Sequence, residues 1–375
     1  MKVHIVTGHF YPQLHPRAFR ANELALEFAR RGFDITVTNC WTIKDFDYAG
    51  YAREAGFKKI NNLGFFNTPL QVSNGVARKA GWMKRCLFFL KEYLLAGSVL
   101  VRANKMASKL VIENDTELVI SLSTPFTCLL GVAKFISKNG RSYVAIADSG
   151  DPFYYSKQYS KAPWFKPLEK WVYKQYDFLT IPTENAIPLY APLIENNKIK
   201  IIPQGFRMDN MKLYEGDFNG PVRIAYAGVF YRDIRNPEFL FKHLSSIKHA
   251  FELHLFMRNK DAMIDEFLEK YPSLQEKVFV TSLPHDELLY ELSRMHFLIN
   301  IENLSNTQMP SKLIDYGMTG RPIFSCNSVN FSPEKFNRFI EGDYSGAYVV
   351  DIKQYDIRHI ADQFLALTNE VVCKL

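Results

Sequence analysis

Four polar segments of the 375-residue chain carry side chains suited to chemistry, and each follows a short apolar run. The first is Gly228-Val-Phe-Tyr-Arg-Asp-Ile-Arg-Asn-Pro237. Gly228 lets the chain turn tightly, and Arg232 and Arg235 follow. Guanidinium forks match phosphate oxygens, so this loop reads as a phosphate holder or as a solvated turn. The second is Glu302-Asn-Leu-Ser-Asn-Thr-Gln-Met-Pro310, continued by Ser311-Lys-Leu-Ile-Asp-Tyr-Gly-Met-Thr-Gly-Arg-Pro322. Ser311 can cap a helix whose N-terminus suits an anion, with Lys312 beside it. Asp315, one turn inside, can accept hydrogen bonds from paired hydroxyls such as those of a ribose, or serve only as a helix-terminal charge. The third is Asp148-Ser-Gly-Asp151, either a turn former or a site of acceptor binding and general-base work. The fourth holds His9, His15, Arg17 and Arg20, ahead of and within the first helix, with structural and acceptor-binding roles both open.

What is missing excludes several chemistries. No GxGxxG follows the first strand and no GxxxxGK[ST] occurs, which argues against a dinucleotide dehydrogenase and a P-loop NTPase. The five cysteines, Cys40, Cys86, Cys128, Cys326 and Cys373, form no CxxC or Cys/His cluster. They read as reduced thiols in a cytosol.

The elements that must position these segments alternate along the chain. Residues 2–7 read as a strand, 17–31 as a helix ended by Gly32, and 34–38 as a second strand. That is a βαβ unit and implies a parallel sheet. Strands at 117–122, 142–147, 178–181 and 199–202 follow, with helices at 98–113, 126–138, 164–176 and 184–191. A polar break over 203–221 precedes a second series. Its strands are 222–227, 251–256, 277–280, 296–301 and 321–325, and its helices 237–247, 261–270, 285–295 and 311–319. The fold class is α/β, with two Rossmann-like doubly wound domains, residues 1–202 and 203–354. A closing helix near 355–375 is expected to pack back on the first. Such sheets bind ligands beyond the carboxyl ends of their strands, which is where the four segments fall. The cleft between the domains is the default site.

Net charge is a modest +7, with 47% hydrophobic and 14% aromatic residues, enough to bury sizeable cores. Its distribution is uneven. Residues 1–200 hold 27 Lys and Arg against 16 Asp and Glu, a net of +11, whereas residues 201–375 net −4. The densest basic stretch, 78–109, has eight basic residues and one acid, interleaved with Trp82, Phe88, Phe89 and Tyr93. It reads as a core-packing helix with a basic face or as a helix lying on an anionic membrane surface. No recognised nucleic-acid module is present. The first eight residues are too quickly interrupted for a signal peptide, and no run of 18 apolar residues exists.

In order and spacing, these motifs resemble the GT-B glycosyltransferases, of the retaining family-4 kind. That family has a Pro-Ser-Lys-Leu-x-Glu-Tyr pattern before a Gly-x-Pro strand, and this chain has Pro310-Ser-Lys-Leu-Ile-Asp-Tyr316 and Gly320-Arg-Pro322. The family's Pro-Asn-Gly-Val-Asp element stands here as Pro203-Gln-Gly-Phe-Arg207, and the Gly228 loop is similar to its diphosphate loop. Phe10-Tyr-Pro12 with Arg17 to Arg20 is similar to its acceptor-side opening. Of the family's two glutamates, Asp315 matches the second and Thr307 stands at the first. The glycine pair after strand one is replaced by His15-Pro16-Arg17, and Asp148 to Asp151 occupies the place of a frequent histidine.

The resemblance implies transfer of a sugar from a nucleotide-diphospho-sugar to a glycan or lipid-linked acceptor, with retention, in surface polysaccharide or glycoconjugate assembly. It implies Arg235, Lys312, Asp148 and Asp151 as catalytic groups. Gly228, Arg232, Glu302, Asn303, Thr307, Ser311 and Asp315 would hold the donor, and His9, His15, Arg17 and Arg20 the acceptor. No metal or other cofactor is expected. The expected place is cytoplasmic, at the inner face of the cell membrane if 78–109 docks there. A nucleotide-sugar epimerase on the same scaffold, or a non-catalytic sugar-nucleotide-binding scaffold protein, are the alternatives.

Overall fold

Twelve strands and twelve α-helices form among the described residues. The computed structural model describes residues 1–13, 15–64, 82, 86, 90, 99–155, 162–209, 211–232, 235–257, 262–302 and 312–372. The chain divides into two compact units, Met1–Arg207 with Tyr355–Leu375, and Met208–Gln354.

The first unit opens with β1 (Lys2–Thr7), buried at five of its six residues, α1 (Pro16–Arg30) and β2 (Asp34–Asn39). Pro16 and Pro-compatible His15 start α1. The His15 imidazole caps it by accepting from the Arg17 N–H at 3.2 Å. Gly32, at φ +80, ends the turn that leads out, a conformation costly for other residues. Next come α2 (Tyr48–Glu54), β3 (Lys59–Asn62) and α3 (Val99–Lys109). Then β4 (Leu118–Leu122), α4 (Phe126–Asn139), β5 (Val144–Asp148), α5 (Phe165–Lys174), β6 (Phe178–Ile181), α6 (Ile187–Tyr190) and β7 (Ile199–Ile201) follow. All seven strands run parallel in the order β3-β2-β1-β4-β5-β6-β7. The order reverses direction between β1 and β4, the switch point at which doubly wound sheets place their ligands.

The second unit repeats the pattern with β8 (Val222–Ala227), α7 (Glu238–Leu244), β9 (Phe251–Phe256), α8 (Ala262–Lys270) and β10 (Val278–Thr281). It continues with α9 (His285–Ser293), β11 (Phe297–Ile301), α10 (Lys312–Thr319), β12 (Ile323–Cys326) and α11 (Pro333–Ile340). Its parallel order is β10-β9-β8-β11-β12, with the switch between β8 and β11. Two apolar clusters flank each sheet, as expected when βαβ crossovers cover both faces.

The chain ends in α12 (Ile357–Val372). Ile357, Ile360, Ala361 and Phe364 join Leu24, Ala25 and Phe28 of α1 in one core. Gly205 makes this possible. A Cβ there would stand 2.6 Å from the Ile357 Cδ1, while Phe206 pairs with Tyr355 and Ile357 through backbone bonds of 2.8 and 2.9 Å.

Three elements were not anticipated. β3, with sequence KINN, sits at a sheet edge and lacks an apolar run. α2 has only seven residues, too few for a clear period. α11 carried readable signals: Ser332 caps it, Pro333 follows, and Phe336, Phe339 and Ile340 share one buried face. The predicted helix 184–191 is a 3₁₀ turn followed by four α-helical residues, with Pro188 inside.

Candidate functional site

Parallel sheets gather strand ends, so each unit has a carboxyl edge where buried polar side chains collect. In the first unit these are Thr7, Asn39, Ser123, Asp148 and Thr180, at or just past the tips of β1, β2, β4, β5 and β6. Asp148 is 1% exposed and takes Arg17 Nη2 at 2.6 Å, Arg20 Nε at 2.6 Å, Arg20 Nη2 at 2.8 Å and the Thr180 hydroxyl at 2.8 Å. Burial alone would push its carboxyl up, but the two guanidiniums outweigh it and hold it down at about 2. Arg20, 3% exposed, spends its remaining donors on the carbonyls of Ile202 and Pro203. Arg17 also donates to the carbonyls of Ser123 and Asp148, at 3.3 and 2.7 Å.

Two expectations are corrected by this geometry. A general base needs an available lone pair and a pKa near the working pH. Asp148 has neither, and acts as the buried anchor of two arginines. Arg20 faces inward and is a tether between α1 and the end of β7 rather than an acceptor-binding group.

His9 and His15 do come together, stacked at 3.9 Å between ring centroids, with Trp41 edge-on to His9 at 4.0 Å. Gln13 bonds His9 Nδ1 at 2.7 Å. Burial, outweighing the Gln13 bond, lowers His9 to about 4, with His15 and Arg17 adding to the fall, so the imidazole is neutral at pH 7. Burial lowers His15 as well. Asp151 is exposed at the same edge. The backbone beyond it is pinned by Glu169, which accepts from the N–H groups of Phe153 and Tyr154 at 2.7 and 2.8 Å and from the Tyr173 hydroxyl at 2.9 Å. Glu169 was missed in the sequence because a lone acid on a helix reads as a solvated charge.

In the second unit, Gly228 leaves β8 at φ +130, a region that favours glycine, and donates to the Phe256 carbonyl at 3.0 Å. The loop returns through a bridge in which the Arg235 N–H donates to the Tyr231 carbonyl at 2.9 Å. This turns Arg235 back toward Tyr226 at the tip of β8. Burial raises the Tyr226 hydroxyl, and Arg235, bonded to it, pulls it back. Lys312, the first residue of α10, places its ammonium 4.3 Å from the centre of the same ring. Among the described residues it makes one hydrogen bond, 3.4 Å long, to the Ile301 carbonyl, and no carboxylate pairs with it. Burial, then the neighbouring Arg235, lowers Lys312 to about 7.

Glu302 follows β11 and is held by Ser325 at 2.8 Å, Asn327 at 3.2 Å and Asn330 at 3.3 Å. The Asn300 amide supports Ser325 at 2.7 Å. These partners were not foreseen, although polar residues at strand tips of a parallel sheet are the signal that reveals them. Arg232 lies exposed and pairs with Glu266. Asp315 lies in the first turn of α10, half-buried. Asn303, Thr307 and Ser311 lie outside the described residues, as does most of 78–109. No group of three His, Cys, Asp or Glu among the described residues could hold a metal ion.

No protein-family profile matches the chain, and no curated protein matches it. Solved structures do. The HepE protein of Anabaena in complex with UDP aligns over 100% of both chains, with TM-score 0.60 and 11% identity. The lipopolysaccharide outer core galactosyltransferase WaaB, in apo form, aligns over 100% of both chains, with TM-score 0.57 and 13% identity. A protein assigned as UDP-N-acetylglucosamine 2-epimerase from Listeria monocytogenes aligns over 100% of this chain and 97% of its own, with TM-score 0.57 and 13% identity. At such identities the likeness is one of fold, and the chain has the α/β fold of GT-B glycosyltransferase structures along its full length.

Proposed function

We propose that the chain is a glycosyltransferase that moves a sugar from a nucleotide-diphospho-sugar to a glycan or lipid-linked acceptor, with retention and without a metal. The observation that carries this reading is the Lys312 ammonium. It is buried beside Arg235, without a carboxylate partner among the described residues, at the carboxyl edge of a doubly wound sheet. A buried ammonium is costly to keep charged, more so beside a guanidinium, and a diphosphate bound there removes that cost. The UDP in the HepE complex supports a nucleotide donor of this class and puts uridine nucleotides first in a titration.

In this reading the leaving nucleoside diphosphate develops charge that Arg235, Lys312 and the N–H groups at the start of α10 stabilise. Each good donor is worth about 3 kcal/mol. Glu302, Asn303 and Thr307 are assigned to the donor sugar, Asp315 to the ribose, and Ser311, Arg232 and the Gly228 loop to the phosphates. His9, His15, Arg17 and Asp151 serve the acceptor. Attack from the face that the diphosphate leaves, assisted by that phosphate, gives retention.

The basic segment 78–109 rests the protein on an anionic membrane surface carrying the acceptor. Trp82, Cys86 and Leu90 support this. They are helical, four residues apart and exposed, Trp82 by 78% and Leu90 by 49%. No helix among the described residues is long and apolar enough to cross a membrane.

The test is transfer of labelled sugar from donor to acceptor by the wild type and by Arg235→Ala. Normal turnover in the variant would overturn the assignment. The Listeria neighbour favours epimerisation as a second reading. Conversion of the donor with no acceptor present would establish that reading instead, and donor binding without turnover of any kind would mark a scaffold protein.

A further inference from the structure

The amino edge of the second sheet, opposite the proposed donor site, carries a cationic cluster of its own. Arg223 is the second residue of β8, His296 immediately precedes β11, and Arg321 stands two residues before β12. These three strands are neighbours in the sheet, so their starts lie side by side. Both guanidiniums rest on one ring, Phe218, at 4.7 Å from its centroid for Arg321 and 5.9 Å for Arg223. Their central carbons are therefore no more than about 11 Å apart.

Neither side chain has a counter-ion among the described residues. Among the described residues, no hydrogen bond or ion pair reaches either guanidinium, and the Nε atom of each is buried without a partner. Arg294, nearby on Tyr214, differs in its counter-ion alone: its Nε is also buried without a partner, but its Nη1 pairs with Glu291 at 2.9 Å. His296 supplies no negative charge either. Its Nδ1 accepts from the Arg223 N–H at 3.0 Å, and burial followed by the two arginines lowers its pKa, so it stays neutral. Glu215 and Asp217, on the segment leading into β8, are exposed and pair with neither arginine. Like charges near one another without compensation repel, and buried donors such as these two Nε groups usually find an acceptor.

We propose that Arg223 and Arg321, set around Phe218, form a second anion site for a ligand bearing two phosphate-class groups, one for each guanidinium fork. Planar forks with free donors match phosphate oxygens bidentately, and two separated forks select a two-headed anion over a single ion. The site lies at the end of the sheet remote from Arg235 and Lys312, so its occupant is distinct from the donor. The segment 214–218, which Ser293 holds through the Tyr214 N–H at 2.8 Å, leads directly into β8 and is the element such a ligand would stiffen.

Inorganic pyrophosphate is the probe, and hydrogen–deuterium exchange of residues 214–223 is the site-specific readout. The background is Arg235→Ala with Lys312→Met, which removes the donor-site cations. Pyrophosphate is expected to slow exchange over 214–223 in that background. Arg223→Gln with Arg321→Gln is expected to weaken the effect about tenfold or more. A phosphatidylglycerol vesicle arm identifies the source. Protection by vesicles alone, lost in the Gln pair, assigns the site to lipid headgroups, and protection by pyrophosphate alone assigns it to a free ligand. The Gln pair must keep the thermal unfolding midpoint of its background, which shows that it folds. Unchanged exchange with both probes, or protection that persists in the Gln pair, would overturn the proposal and leave the donor-site reading untouched.

Discussion

At the scale of single residues, the same side-chain types have taken opposite roles according to what surrounds them. Asp148 ends β5 and Glu302 follows β11, yet one neutralises two arginines and the other is held by neutral amides and a hydroxyl. Sequence could place both at strand ends and could not tell the two apart, because the partners come from residues more than 20 positions away. Asp148→Asn should cost about 3–5 kcal/mol in chemical denaturation, since Arg17 and Arg20 would lose their buried counter-charge. Its carboxyl is depressed to about 2 in the folded chain, below the ordinary 3.8. Its contribution is therefore present above pH 3.8 and is lost as pH falls toward 2. Lys312 behaves in the other sense. Its folded pKa of about 7 lies below the usual 10.5, so the unfolded chain binds more protons between those values. In the unliganded protein this residue's contribution to stability should rise with pH across that window, and Lys312→Met should flatten the rise. A bound diphosphate reverses the preference by restoring the charge. Its affinity should be full below about pH 7 and decline above it, which calorimetry at pH 6 and 9 would show.

At the scale of elements, the alternation of strands and helices was legible because strands of a parallel sheet are buried on both faces and read as short, mostly apolar runs. β1, β4, β5, β6 and β11 are of this kind. β3 and α2 were not legible, since an edge strand such as KINN needs no apolar run and seven residues show little period. The same limit explains the loop after β8. Its glycine was readable as a turn, but its return through the Tyr231–Arg235 bridge, which aims Arg235 at Tyr226, depends on tertiary packing. Gly228→Ala should lose donor affinity with a stability cost of about 1 kcal/mol or more, because φ +130 suits no side chain. Ser332→Ala is the control for an element away from the site. Losing the cap on the Lys335 N–H should cost about 1 kcal/mol in denaturation and leave donor binding unchanged.

At the scale of the whole molecule, the charge asymmetry sorts the two proposed substrates. On the proposed function, the −4 half would bind an anionic donor through a few placed cations and helix ends rather than through a general field. The +11 half carries its densest basic stretch beside the exposed Trp82, Cys86 and Leu90. Co-sedimentation with anionic vesicles should be strong at low salt and released by about 0.5 M salt, where the screening length falls below 5 Å. Absence of binding at any salt would leave 78–109 as a core-packing segment. The measurement that bears most directly on the central claim is calorimetric titration of the wild type and of Arg235→Ala, Lys312→Met with nucleoside diphosphates, UDP first, at pH 7. The account predicts binding by the wild type with proton uptake, and at least a hundredfold loss in the double variant. Equal binding by both proteins, or no binding of any nucleoside diphosphate by the wild type, would contradict it.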